Sequence, residues 1–293
     1  MSQIIIGSGA ISVTSASDTF ASYTEAQKYA VGYILGTYGV EVVPKNKQLL
    51  KFGRRLLNTA DVKTIIGTLG SGINLETLID TNGILSISHT SASDNGKVIS
   101  VEGHTINVST GDLTFVVQSV TLITPASPVT LTTPLSRCTR MRISNGTWGA
   151  RAVALVGAVY AYTSATLSGG VPQTADAIKA VILAGQQTTE KCATSISSVD
   201  YWVITDYVAA MPRAQGTSSG ADIDIEVREL AGVFRPVGLE IALERSNHPV
   251  EIGQFATPLI IPSNADVRMV MTATASNTAV QAHINGFLMT QVV

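Results

Sequence analysis

The sequence predicts a mainly β protein: an N-terminal arm carrying a short helix, then two antiparallel β-sandwich domains, the C-terminal one jelly-roll-like. Three observations carry this expectation. From about residue 61 onward, short runs rich in Val, Ile and Thr alternate apolar with polar positions, the period of a half-buried strand. Gly, Asn, Asp, Ser or Pro punctuates these runs at regular intervals, as turn chemistry requires. The chain, at 293 residues, is long enough for two medium domains with cores of their own.

The first sixty residues differ in texture, and residues 1–60 are read as an arm rather than a compact domain. Ser22 and Glu25 have the spacing of a capping box, and Tyr23, Ala26, Ala30, Tyr33 and Ile34 recur at helical intervals. A helix is therefore expected near 23–35, ended by Gly36 and Gly39. The stretch that follows, VVPKNKQLLKFGRR at 42–55, gathers base and apolar residues, and the arm as a whole carries a charge of about +3. Lys45, Lys47, Lys51, Arg54 and Arg55 interleave with Leu49, Leu50 and Phe52. That mixture suits docking on an acidic protein groove better than tracking a phosphate backbone. These eight residues form the candidate partner-docking arm.

A first sandwich is expected over 61–162. Its candidate strands are ILSISHT (84–90), KVISVEG (97–103), LTFVVQSVTLI (113–123), VTLTT (129–133) and CTRMRISN (138–145). SASDNGKV at 91–98 is a turn in which Asn95-Gly96 supplies positive φ. The jelly-roll-like sandwich is expected over 163–293. It opens with the Gly/Ser/Thr/Pro-rich loop 163–176 and continues through strands at 177–184, 200–211, 221–229, 232–243, 255–262, 265–275 and 279–289.

The densest charge cluster, ADIDIEVRE at 221–229, fits this scheme. Asp222, Asp224, Glu226 and Arg228 alternate with Ile223, Ile225 and Val227, so one face of a strand collects the charges and the other the aliphatics. A carboxylate face can bind a hard cation, but the stretch lacks the Gly and closing Glu of a calcium loop. It is read as a solvated strand face over a core of Ile223, Ile225 and Val227.

Composition narrows the function classes. Net charge is −2, which argues against a broadly basic nucleic-acid binder. Charged residues make up 14% of the chain against about 25% in ordinary soluble proteins. A surface so poor in charge is expected to be covered extensively by partners. The longest apolar run, AVALVGAVYAY at 152–162, falls short of the ~20 residues of a membrane helix, so no membrane partner is expected. Cys138 and Cys192 stand 54 positions apart without a CxxC or Cys/His cluster and read as buried thiols of a reducing compartment.

Catalytic motifs are not legible. GTLGSG at 67–72 has no GK[ST] ending and reads as a turn. His89, His104, His248 and His283 lack zinc-ligand spacing, although His89 and His104 fall in adjacent candidate strands. Trp148 and Trp202 are expected to pack in a core or interface. No catalytic residue, metal ligand or cofactor is expected.

Four segments together resemble a group of virion structural proteins of tailed bacteriophages, many from aquatic phages. These are LLKFGR (49–54), VRELAGVFR (227–235), FATPLIIPSNADVRM (255–269) and NTAVQAHINGFLM (277–289). The resemblance spans most of residues 40–293, and it implies assembly rather than catalysis, with no family catalytic residues to carry over. The expected function is that of a non-enzymatic capsid decoration or cement protein that stabilises the head, located in the virion after assembly in the bacterial cytoplasm. A neck or tail ring, or a host-recognition spike, is the alternative; a virion-associated hydrolase is more remote. The expected partners are further copies of the chain, with a trimer favoured, and the major capsid protein or other virion proteins.

Overall fold

The computed structural model describes residues 6–7, 10–11, 42–57, 63–67, 81–144, 154–213, 219–229 and 232–291. The helix expected near 23–35, most of the 67–72 turn and Trp148 lie outside these residues. Among the described residues the fold is mainly β and antiparallel, as the alternating runs predict.

The strands are numbered in chain order. β1 (Ile6–Gly7) and β2 (Ala10–Ile11) form a small hairpin. β3 (Val42–Leu57) and β4 (Thr64–Ile65) come next. Then follow β5 (Ile84–His89), β6 (Val98–Ile106), β7 (Leu113–Thr121), β8 (Val129–Leu135) and β9 (Arg137–Ile143). β10 (Val159–Tyr162), the short pair β11 (Leu167–Ser168) and β12 (Val171–Pro172), and β13 (Ile178–Ile182) complete the middle of the chain. The C-terminal part holds β14 (Ala193–Ser195), β15 (Asp200–Arg213), β16 (Gly220–Glu229) and β17 (Arg235–Glu244). It ends with β18 (Val250–Ile261), β19 (Ala265–Ala273) and β20 (Thr278–Gln291).

Eight of these strands wind into a jelly roll. One sheet runs β18-β15-β20-β3 and the other β14-β19-β16-β17. Taken in chain order, the first of the eight lies beside the last, the second beside the seventh, the third beside the sixth and the fourth beside the fifth. That nesting is the double Greek key of the jelly roll. Its core gathers Trp202, Ile204, Ile223, Ile225, Val267 and Met269 from both sheets, with Leu49 packed against it.

Strands β5 to β13 are an insertion, lying in the chain between the first jelly-roll strand, β3, and the second, β14. They make a second sandwich of sheets β13-β10-β5-β8 and β7-β6-β9, closed over Ile84, Ile87, Ile99, Val101, Leu135 and Met141. The expected division at residue 163 therefore falls inside the first sandwich. β13 must join it because Ile182 pairs opposite Val159 and both are fully buried.

The expected arm is also redrawn over 42–57. Residues 42–57 form β3, which pairs with β20 from Leu57↔Thr278 to Val42↔Gln291. The sixteen-residue run satisfies its backbone along one edge by this pairing, which a free arm leaves to water. Gly53 shows how closely β3 is held, for a Cβ there would lie 2.0 Å from the carbonyl oxygen of Ile66. The turn at 91–98 contains Gly96 at φ +81°, the positive φ that the Asn-Gly pair predicts.

Candidate functional site

The two sandwiches meet along a polar seam, and the charges of ADIDIEVRE lie in it. The core half of that reading is as expected: Ile223 and Ile225 are fully buried. The other face is not simply solvated. Asp222 is exposed, but Glu226 is 4% exposed and Asp224 and Arg228 are half-buried. The reason is covalent topology. The inserted sandwich and the segment leading into β4 return over this face and bring counter-charges with them.

Pairing of β16 with β19 sets Glu226 opposite Arg268 and Arg228 opposite Asp266, two cross-strand pairs of opposite sign. Arg268 holds Glu226 at 2.7 Å, and Lys63 reaches both Glu226 at 2.7 Å and Asp224 at 2.9 Å. Asp266 accepts from Arg228 at 2.8 Å and from the Ser195 hydroxyl at 2.5 Å. Across the seam, Arg137 of β9 donates twice to the same carboxylate, Nε to Oδ1 and Nη2 to Oδ2, each at 3.1 Å. Phe234 lies under the guanidinium of Arg268 at 3.8 Å, a cation–π contact.

Burial pushes the Asp266 carboxyl up, but the bonds from Arg137, Ser195 and Arg228 outweigh it and hold the group below the ordinary aspartate value. Glu226 is likewise held low against its burial, by Lys63 and Arg268. Both acids are therefore ionised partners in an ion network. The network ties the inserted sandwich to the jelly roll through paired charges.

Beside the lock lies a cleft of about 300 Å³ between β3, the β7-β6-β9 sheet and the stretch from Thr188 to Asp200. Four residues of the expected docking arm line it: Leu49, Leu50, Lys51 and Phe52. Alternation along β3 sorts them differently from the expectation. Lys51 is buried and turned inward, its Nζ donating to the carbonyl of Thr139 at 3.1 Å, whereas Leu50 and Phe52 face outward and are exposed. Arg54 is committed elsewhere, in a two-pronged pair with Glu190 at 2.6 and 2.8 Å. Arg55 is half-buried. Lys45 and Lys47 lie in the N-terminal part of β3, where the backbone alone is described.

His104, which the sequence offers only as a possible neighbour of His89, and Lys191, which no motif marks, also line the cleft. His104 packs edge-on against Phe115, with ring centres 5.4 Å apart. Burial foremost, helped by the charge of Lys51, pushes its imidazole down to about 3, so the ring is neutral. His89 is in the other sheet of the insertion, bonded to the Ser91 carbonyl at 3.0 Å, so the two histidines do not meet. Cys138 and Cys192 are both free and buried, and burial pushes each thiol up to about 12. Among the described residues no group of His, Cys, Asp and Glu has the arrangement to hold a metal ion.

No family model matches the chain, and no curated protein matches it in sequence. Solved structures overlap it only slightly. The VP2 subviral particle of infectious bursal disease virus is 9% identical, with 90% of this chain and 77% of that one covered and a TM-score of 0.19. T=1 particles derived from the same virus give 11%, 91%, 76% and 0.21 in the same order. The insecticidal delta-endotoxin Cry8Ea1 of Bacillus thuringiensis gives 9%, 68%, 42% and 0.19. Overlaps of this size carry no functional weight, and the jelly-roll assignment rests on strand order alone.

Proposed function

We propose that this protein is a non-enzymatic structural component of a virion, and specifically a decoration or cement protein of a tailed-phage capsid. The observation that carries the reading is a jelly roll locked to an inserted sandwich by a buried ion network, on a chain unusually poor in charge. Jelly rolls build capsid and lectin domains among other things, and a locked pair of sandwiches makes a stiff block. The surface supports extensive contact with partners. Leu50 and Phe52 stand exposed on β3, and Val250 and Ile252 on β18. These are the two edge strands of one sheet, so both margins of the block present aliphatic or aromatic side chains for association with further copies or with the coat.

The test is copy number in purified virions, measured by quantitative mass spectrometry against the major capsid protein. Near-equal copies support shell-wide decoration. On the order of ten copies moves the protein to a ring or spike at the tail vertex. Absence from the particle overturns the virion reading altogether.

A further inference from the structure

We propose that the cleft between the two sandwiches is a binding site for an organic carboxylate. Its lining holds two buried amines that make no salt bridge among the described residues. Lys51 is 6% exposed and Lys191 7%. Lys51 makes one hydrogen bond, to a neutral carbonyl. The Lys191 ammonium makes no hydrogen bond or salt bridge among the described residues, and the charge of Asp266 acts on it only through space. Buried cations left in this state are destabilising unless an anion reaches them.

Two acids line the same cleft, and Glu102 acts on the Lys51 charge without a salt bridge to it. Glu102 is turned to Arg142 at 3.4 Å, and Asp200 accepts the Thr290 hydroxyl at 2.7 Å. Arg140 adds a third positive group to the lining. A second, independent observation points to a missing ligand. Nδ1 of His104 is buried on this cleft with no hydrogen-bond partner among the described residues, and an orphaned ring nitrogen of this kind calls for an explanation. In the Nδ1–H tautomer it donates to an oxygen held between the two amines.

Size and rim specify the class of acid. A volume of about 300 Å³ holds roughly ten water-sized groups, room for a small dicarboxylate or for one acidic side chain. Exposed Leu50, Phe52 and Phe115 put apolar surface on the rim beside the exposed Arg140. Inorganic phosphate has nothing to set against the apolar part, whereas an acid carrying carbon does. The carboxylate comes either from a free organic acid or from an Asp or Glu side chain presented by another protein chain. The site does not depend on the virion reading.

The test uses the full chain and three probes at matched ionic strength: malonate, the blocked peptide acetyl-Leu-Asp-Leu-amide, and inorganic phosphate. The readout is the ligand-dependent rise in Tm. A saturable rise with malonate that exceeds the peptide's assigns a free acid, and the reverse order assigns a presented side chain. In Lys191→Met, folding is checked by circular dichroism, and the response is expected to weaken at least tenfold. Should that variant not fold, acetylation of Lys191 in the wild type is followed by mass spectrometry and is expected to slow about tenfold under saturating ligand. No response to either organic probe, an unaltered response in Lys191→Met, or phosphate binding as tightly as malonate overturns the proposal.

Discussion

Arg137 and Asp266 lie 129 residues apart in the chain and meet in a two-pronged ion pair at 3.1 Å, with side chains 1% and 4% exposed. One belongs to the inserted sandwich and the other to the jelly roll. Asp266→Asn should therefore lower unfolding free energy by about 3–5 kcal/mol, because it strands a buried guanidinium. Arg228→Met, which removes the more exposed partner of the same carboxylate, should lower it by less. Urea unfolding of the three chains measures the order.

Acid should loosen the same lock. Asp266 and Glu226 are both held below their ordinary values of 3.8 and 4.5. An acid depressed in the fold contributes stability that is complete above its unfolded value and is lost as pH falls through the folded one. Stability should thus decline on acidification from about pH 4.5 downward, and Asp266→Asn should flatten part of that decline. Urea midpoints at half-unit steps from pH 6 to pH 3 give the slope.

Alkali should act the other way at Lys51. Burial foremost, opposed by the charge of Glu102 and assisted by Arg140 and Lys191, pushes its amine down to about 8 from 10.5. Above pH 8 the folded chain then binds fewer protons than the unfolded one, so this residue makes stability rise with pH up to about 10.5. In Lys51→Met that rise should shrink, with the buried Lys191 keeping its own share, and stability near pH 7 should increase. Comparing the two pH profiles in ligand-free buffer checks both points.

The two faces of β16 should respond oppositely to substitution. Ile225 is fully buried in the jelly-roll core, and Ile225→Asp, which leaves an unpaired carboxylate there, should abolish soluble folding. Asp224 contributes a part-exposed pair with Lys63, itself 46% exposed. Asp224→Ala should cost no more than about 1 kcal/mol and leave the elution profile of the wild type unchanged. Soluble yield and size-exclusion profiles of the two variants separate them.

Strand positions were legible in the sequence because alternation is local. ILSISHT became β5 and ADIDIEVRE became β16 with Ile223 and Ile225 inward, as their period implies. Partners were not legible, since nothing near VVPKNKQLLKFGRR says that it pairs with the C-terminal strand. For that reason the strand has the local look of an arm, and nothing near Lys51 marks its inward turn. Part of the seam did carry a signal. Glu226 and Arg228 precede Asp266 and Arg268 with the same spacing, and antiparallel pairing turns those two runs into matched pairs of opposite charge. His104 and Lys191 offered no such cue, because the cleft they share exists only once the insertion has folded back.

Placing an entire sandwich between the first two jelly-roll strands also sets an order of events on the ribosome. The inserted strands are all synthesised before β20, and can reach their own core early. β3 must wait for a partner that begins at Thr278, roughly 220 residues later, a separation that makes its closure slow. A nascent chain stopped before Thr278 should therefore hold a finished insertion beside an unpaired 42–57, and limited proteolysis should cut there first.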